Sequence, residues 1–178
     1  MLAVVPRWSV LPRISTQYVA GHSYFVTLYT DQLCTLLEWD EVRKYRAVSY
    51  AIKHDMEEVI TGDIMGPIKR MLVDNASATA LRDSIYAGLG EYYVGGMSPT
   101  QEIRDVVKAA NCIDEFFWLS QEVSMGNRSV KVMQVTVLKR TDKALKKLGL
   151  DYLTQNLLTE AKSMMEGLDF PQKDSDLG

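Results

Sequence analysis

The chain reads as a succession of helices. Between Tyr18 and Leu37, apolar residues fall at Val19, Val26, Tyr29, Leu33, Leu36 and Leu37, which keeps one face of a 3.6-residue helix apolar. Ser15 and Thr16 are candidate N-caps for it. A second helix is expected from Asp40 to Val59, with Asp40 as N-cap, Val42, Tyr45, Val48 and Ile52 as its buried stripe, and Thr61-Gly62-Asp63 as its stop. Gly66 and Pro67 mark a turn before a short amphipathic piece, Ile68 to Val73. A third substantial helix, Ala76 to Tyr93, ends at Gly95-Gly96.

Ser98 as N-cap, Pro99 at the first helical position and Glu102 in the first turn then open a helix carrying Ile103, Val106, Val107, Ala110, Ile113, Phe117 and Trp118 to a stop at Gly126-Asn127. Arg128 to Lys147 is ambiguous. Val130, Val132, Val135 and Val137 alternate as in a strand, whereas Val130, Met133, Val137 and Leu145 suit a helix. Helix is favoured, because no partner strand is evident. Asp151 to Leu168 forms the last helix. The expected organisation is all-α, one helical bundle over residues 1–170, followed by a polar tail, 171–178.

Composition adds limits to that picture. At 178 residues and 47% hydrophobic content the chain can bury a core without staples. A net charge of -3 provides no general attraction for polyanions, which disfavours a nucleic-acid polymer as partner. No stretch reaches the roughly 20 apolar residues that span a bilayer, and the first residues do not form a convincing signal peptide, so no membrane role and a cytoplasmic setting are expected. Cys34 and Cys112 are isolated within apolar helical patterns and read as buried reduced thiols. The basic residues Lys139, Arg140, Lys143, Lys146 and Lys147 read as a solvated face, and Phe116-Phe117-Trp118 and Tyr92-Tyr93 as core or interface.

The chemistry concentrates in the two histidines. His22 falls on the apolar stripe of the first long helix, and His54-Asp55 stands near the end of the second with Glu57, Glu58 and Asp63 following. Histidine and carboxylate together suit a borderline divalent cation such as Mn²⁺, Co²⁺ or Zn²⁺. Two core histidines beside a solvated acidic helix end would give the same pattern, and would bind no metal.

Three segments in order resemble the YfbR-like 5'-deoxynucleotidases among the HD-domain phosphohydrolases. They are Arg7-Trp8, Val19-Ala20-Gly21-His22-Ser23, and the run from His54-Asp55 through Glu58 to Gly62-Asp63, followed by Pro67-Ile68-Lys69. Lys108-Ala109-Ala110-Asn111 continues the likeness more weakly. The resemblance implies an HD-domain bundle in which His22, His54 and Asp55 bind the metal. A further ligand is supplied by Asn111, where the family has an aspartate. It further implies Glu58 as the acid/base or water-orienting group, and Arg7, Trp8, Asp63 and Lys69 as contacts to the substrate.

A deoxynucleoside 5'-monophosphate, or a triphosphate such as dATP in the manner of compact phage relatives, is the implied substrate, and a homodimer or larger homo-oligomer the implied assembly. Arg13 and Arg70 are further cations available to a triphosphate. Two departures stand out: Gly21 replaces a glutamate that usually precedes the first histidine, and Asn111 brings no charge. Asp114, three residues on, is a candidate to supply that carboxylate. The alternative is a catalytically impaired HD-fold protein that binds a nucleotide or a protein partner without hydrolysis.

Overall fold

The structure, a computed structural model, describes residues 2–63 and 99–166. Six α-helices are labelled here: α1 Val19–Leu36, α2 Glu41–Ala51, α3 Glu58–Thr61, α4 Gln101–Ser124, α5 Lys131–Lys147 and α6 Leu153–Glu166. Among the described residues the only strand-like pairing is an isolated bridge between Pro6 and Tyr18. None of the described helices is long and apolar enough to cross a membrane. The expected helix at 76–93, the piece at 68–73, Ser98 as a cap, Tyr92-Tyr93 and the tail at 171–178 lie outside the described residues.

The 24-residue α4 is the axis of the bundle, packing against α1, α2, α5 and α6. Its buried positions run round the whole cylinder, as expected of a helix enclosed by others. Val106, Ala109, Ala110, Ile113, Phe116 and Leu119 meet Val26 and Leu33 of α1, Ala47 and Ala51 of α2, Val137 and Leu145 of α5, and Leu157 and Ala161 of α6 in one core. Thr100 caps α4 by accepting from the Ile103 N–H.

The 128–147 segment is helical, as the lack of a partner strand suggested. Val130, Val137, Thr141 and Leu145 are buried at helical spacing, while Val132 and Val135, which an alternating strand would bury with them, are exposed. Cys34 and Cys112 are both free and buried, and burial pushes each thiol up to about 11.

Two expectations are corrected. The second helix is not continuous to Val59: α2 stops at Ala51 and a run of turns spans residues 52–57 before α3. Tight bonds from Lys53 N to Tyr50 O, Met56 N to Lys53 O and Glu58 N to Asp55 O replace the helical pattern. The stripe is also displaced. Ala47 and Ala51 face the core, while Val42, Tyr45 and Ile52 are exposed, because two small side chains one turn apart let α2 approach its neighbours closely. Asp40 does cap α2, through Arg43 N.

The N-terminal segment is laid along α4 by buried polar groups. Glu122, fully buried, accepts from Ile14 N at 2.7 Å, Ser15 N at 2.7 Å, Ser15 Oγ at 2.6 Å and Asn127 Nδ2 at 2.7 Å. Ser15 is thereby engaged away from the start of α1, whose N-cap is Tyr18 with no side-chain bond. Burial alone would raise the Glu122 pKa, but these donors hold it below the ordinary value of 4.5.

A carboxyl more acidic folded than unfolded stabilises the fold fully above its unfolded pKa, and that contribution is lost as pH falls through the folded one. Glu122→Gln is expected to lower stability at pH 7 by about 2 kcal/mol. In urea unfolding followed across pH, the gap between variant and parent closes as acid protonates Glu122 in the parent.

Candidate metal centre

His22 lies one turn into α1 on the buried stripe, with no exposed surface. His54 and Asp55 come from the turns between α2 and α3, where the backbone leaves the helix just in time to aim both adjacent side chains at α1. The break and the histidine are linked: His54 Nδ1 lies 2.6 Å from the Ala51 carbonyl, a last-turn carbonyl of α2, and donates to it. That leaves His54 Nε2 facing inward, 3.2 Å from Asp55 Oδ2. The two imidazoles approach to 5.3 Å between centroids.

His22 is held in the same way from the other side. Its Nδ1 lies 2.5 Å from Asp114 Oδ2, and its Nε2 lies 3.0 Å from Asn111 Oδ1 and 3.6 Å from Asp55 Oδ2. Burial and the Arg7 charge lower the His22 pKa against the pull of Asp114. The ring is therefore neutral near pH 7, with its proton on Nδ1. Its Nε2 lone pair then points at the oxygen of Asn111, whose amide is fixed by donation from Nδ2 to Glu115 Oε1 at 2.9 Å. For His54, burial opposes protonation, but Asp55 and the Ala51 carbonyl outweigh it and the pKa is raised.

One donor atom from each of His22, His54 and Asp55 lies within 4.8 Å of the others. Together with Asn111 Oδ1, the spacings of 3.0, 3.2 and 3.6 Å suit the edges of a small coordination polyhedron. Donors about 2.1 Å from an ion sit about 3.0–3.4 Å apart. Two imidazole nitrogens, a carboxylate and an amide oxygen gathered this closely form a donor set of the kind a divalent cation takes.

Other residues named from sequence surround this cluster. Glu58 opens α3 one turn after Asp55 and is 3% exposed. Arg7 is buried, its Nη1 3.9 Å from Asp114 Oδ2 and its Nη2 3.7 Å from Glu115 Oε1. Trp8 is buried with its ring parallel to Trp118 at 5.1 Å, and its indole N–H donates to Gln17. Trp8 adopts a φ of 59°, a left-handed conformation costly to a bulky residue, and Asp63 secures it by accepting from the Trp8 N–H at 2.8 Å. Lys69 and Arg70 lie outside the described residues, and Arg13 donates to the Arg7 carbonyl.

Asp114 does not supply the missing carboxylate to the cluster: it is buried and grips the ring nitrogen of His22 that faces away from Asp55. Gln17, Glu115 and Arg140 were not foreseen. Gln17 donates to Asp114 at 2.7 Å, and Arg140, assigned from sequence to a solvated face, reaches Glu115 at 3.2 Å. The signal in the sequence was the acid pair Asp114-Glu115 inside the otherwise apolar run from Cys112 to Leu119.

A cavity of about 1150 Å³ between α1, α4 and α6 touches Asp114 from the far side, and neither histidine lines it. Gly21 faces that cavity, and a Cβ there would meet nothing within 4 Å.

A family model described as 5'-deoxynucleotidase YfbR-like matches residues 1–161. The chain belongs to the YfbR-like family. It is 27% identical over 157 residues to a 4'-phosphooxetanocin A phosphatase of Priestia megaterium, covering 82% of this chain and 81% of that one. It is 30% identical over 124 residues to a dATP triphosphohydrolase of Salmonella phage PMBT28, covering 66% and 61%. The structure of a cyanophage S-2L HD phosphohydrolase (DatZ), bound to dA and one catalytic Zn²⁺ ion, superposes with a TM-score of 0.64 over 93% of both chains at 20% identity. The fold is therefore the all-α HD fold, and this member of the YfbR-like family is a hydrolase.

The Asp63 contact can be isolated. Asp63→Ala, which removes the acceptor from the Trp8 N–H, is expected to lower stability by about 1–2 kcal/mol. Thermal unfolding measures the loss, and a red-shifted tryptophan emission reports the loosened Trp8.

Proposed function

We propose that this YfbR-like protein hydrolyses deoxynucleoside 5'-phosphates, with His22, His54, Asp55 and Asn111 holding a Mn²⁺, Co²⁺ or Zn²⁺ ion. The observation that carries the reading is the cluster of two imidazoles, a carboxylate and an amide oxygen beside a buried guanidinium with N–H groups to spare. Among the described residues, Arg7 Nε and Nη1 find no hydrogen-bond acceptor. The carboxylates of Asp114 and Glu115 keep the guanidinium in place from 3.7–3.9 Å, too far to consume its N–H groups. Phosphate oxygens can accept from N–H groups left free in this way, each bond strengthened by the guanidinium charge.

A divalent ion held by His22, His54, Asp55 and Asn111 would supply Lewis acidity toward a phosphoryl oxygen and toward water. The residues supply the rest. Arg7 binds and orients the phosphate as the water oxygen bonds to phosphorus and the bond to the leaving oxygen breaks. Glu58 takes the water's proton on its carboxylate and returns it to the leaving group. Trp8, locked by Asp63, Gln17 and Trp118, walls the sugar and base side, and Lys69 adds a second cation.

Both chain lengths of phosphate occur among the relatives, a phosphatase and a dATP triphosphohydrolase, and either suits this chemistry. Exposed Tyr24, Phe25 and Leu28 on α1 support assembly as a homodimer or larger oligomer, and two unpaired buried thiols support a cytoplasmic setting.

The test is phosphate release from a panel of deoxynucleoside mono- and triphosphates with each metal in turn. Metal-dependent release is expected, abolished in His54→Ala and reduced about 10- to 100-fold in kcat/KM by Arg7→Ala. The inorganic product, phosphate or triphosphate, assigns the substrate class. No release with any metal would leave a nucleotide binder in place of the hydrolase.

A further inference from the structure

Asn111 presents a neutral ligand where the family's pattern has a carboxylate, yet the chain puts two buried acids on the same turn of α4, three and four residues further on. Neither faces the cluster. Asp114 Oδ2 lies 2.5 Å from His22 Nδ1, and Glu115 Oε1 accepts from Asn111 Nδ2 at 2.9 Å. Each carboxylate thus holds the far atom of one ligand and fixes the near atom, His22 Nε2 facing Asp55 Oδ2 at 3.6 Å and Asn111 Oδ1 beside that nitrogen at 3.0 Å. A carboxylate on the distal N–H makes an imidazole a stronger and better oriented ligand, and polarisation of an amide N–H₂ enriches its oxygen in the same sense. Gly21 has no side chain to perform this task for His22, and the space around it is open.

We propose that Asp114 and Glu115 are the positioning residues of the metal site, returning through His22 and Asn111 the negative charge that a neutral fourth ligand withholds. The inference rests on the metal-centre reading above. It makes Asn111 and Glu115 a matched pair. In Asn111→Asp alone, the 2.9 Å contact becomes carboxylate oxygen against carboxylate oxygen, the donated hydrogen bond is lost, and the two side chains are pushed apart. Arg7 and Arg140 flank Glu115 at 3.7 and 3.2 Å and anchor its carboxylate in place, so it stays against residue 111 when that residue becomes an acid. Restoring the family's aspartate therefore requires removing the Glu115 charge at the same time.

The experiment is Mn²⁺ titration calorimetry on metal-stripped protein, without nucleotide, with unfolding temperatures in parallel. Asp114→Asn and Glu115→Gln are each expected to weaken Mn²⁺ binding about tenfold or more. Asn111→Asp/Glu115→Gln should bind at least tenfold tighter than Asn111→Asp.

Wild-type affinity in both single variants, or a full gain from Asn111→Asp with Glu115 in place, overturns the proposal while leaving a metal-binding wild type intact. A wild type that binds no Mn²⁺, indistinguishable from His54→Ala, overturns the metal-centre reading with it. Should a variant fail to fold, ¹⁵N chemical shifts of the wild-type imidazoles decide. With two histidines in the chain and His54→Ala to assign them, His22 must show its proton on Nδ1, and a proton on Nε2 overturns the proposal.

Discussion

A carboxylate buried in a protein must be paired or bonded, and α4 carries three: Asp114, Glu115 and Glu122. With Asn111 and Trp118 they occupy neighbouring positions on the helix surface, so the requirement is met along a line rather than at scattered points. That line receives the N-terminal segment. Glu122 takes Ile14 and Ser15, Trp118 takes Trp8, Asp114 takes Gln17 and His22, and Glu115 lies against Arg7. The residues that would meet a phosphate are thus positioned by the same buried charges that orient the candidate metal ligands.

The arrangement explains how irregular backbone can carry a precise site. Residues 5–18 contain little regular structure, and the turns at 52–57 interrupt what the pattern presents as one helix. Each irregular stretch is held by bonds to a long helix. The Ala51 carbonyl, freed where α2 ends, takes the proton of His54 and so selects which imidazole nitrogen faces inward. Trp8 keeps a strained left-handed backbone because a carboxylate, an amide and a parallel indole hold it from three directions. Strain of that kind persists where the surroundings over-determine it, which is common at functional sites.

Much was legible in the sequence. The buried stripe of α1 through Val19, Val26 and Leu33 with His22 upon it, though not Leu36, which is exposed at the helix end, the cap at Asp40, the helical rather than extended 128–147 and the juxtaposition of His22 with His54-Asp55 all follow from periodicity, capping chemistry or motif spacing. These depend on neighbours within a turn or two, or on a spacing long enough to be specific. The break after Ala51 was hidden, because Ile52 to Met56 carries no glycine or proline and the cause is a side-chain bond back to the helix end. The exposed stripe of α2 was hidden too, since two alanines made a better contact face than the larger residues beside them.

By itself, the sequence determined the helical class, the identity of the three clustered donors and the kinship to the YfbR-like family, because composition, period and motif are properties of the chain alone. Only the tertiary structure decided the roles of Asp114, Glu115 and Arg140. An acid inside an apolar helical run can face solvent, a metal or another side chain, and which one depends on the helices packed around it. Here α1 brings His22 Nδ1 to Asp114, and α5 brings Arg140 to Glu115. Those partners lie 92 and 25 residues away in sequence, beyond any local rule.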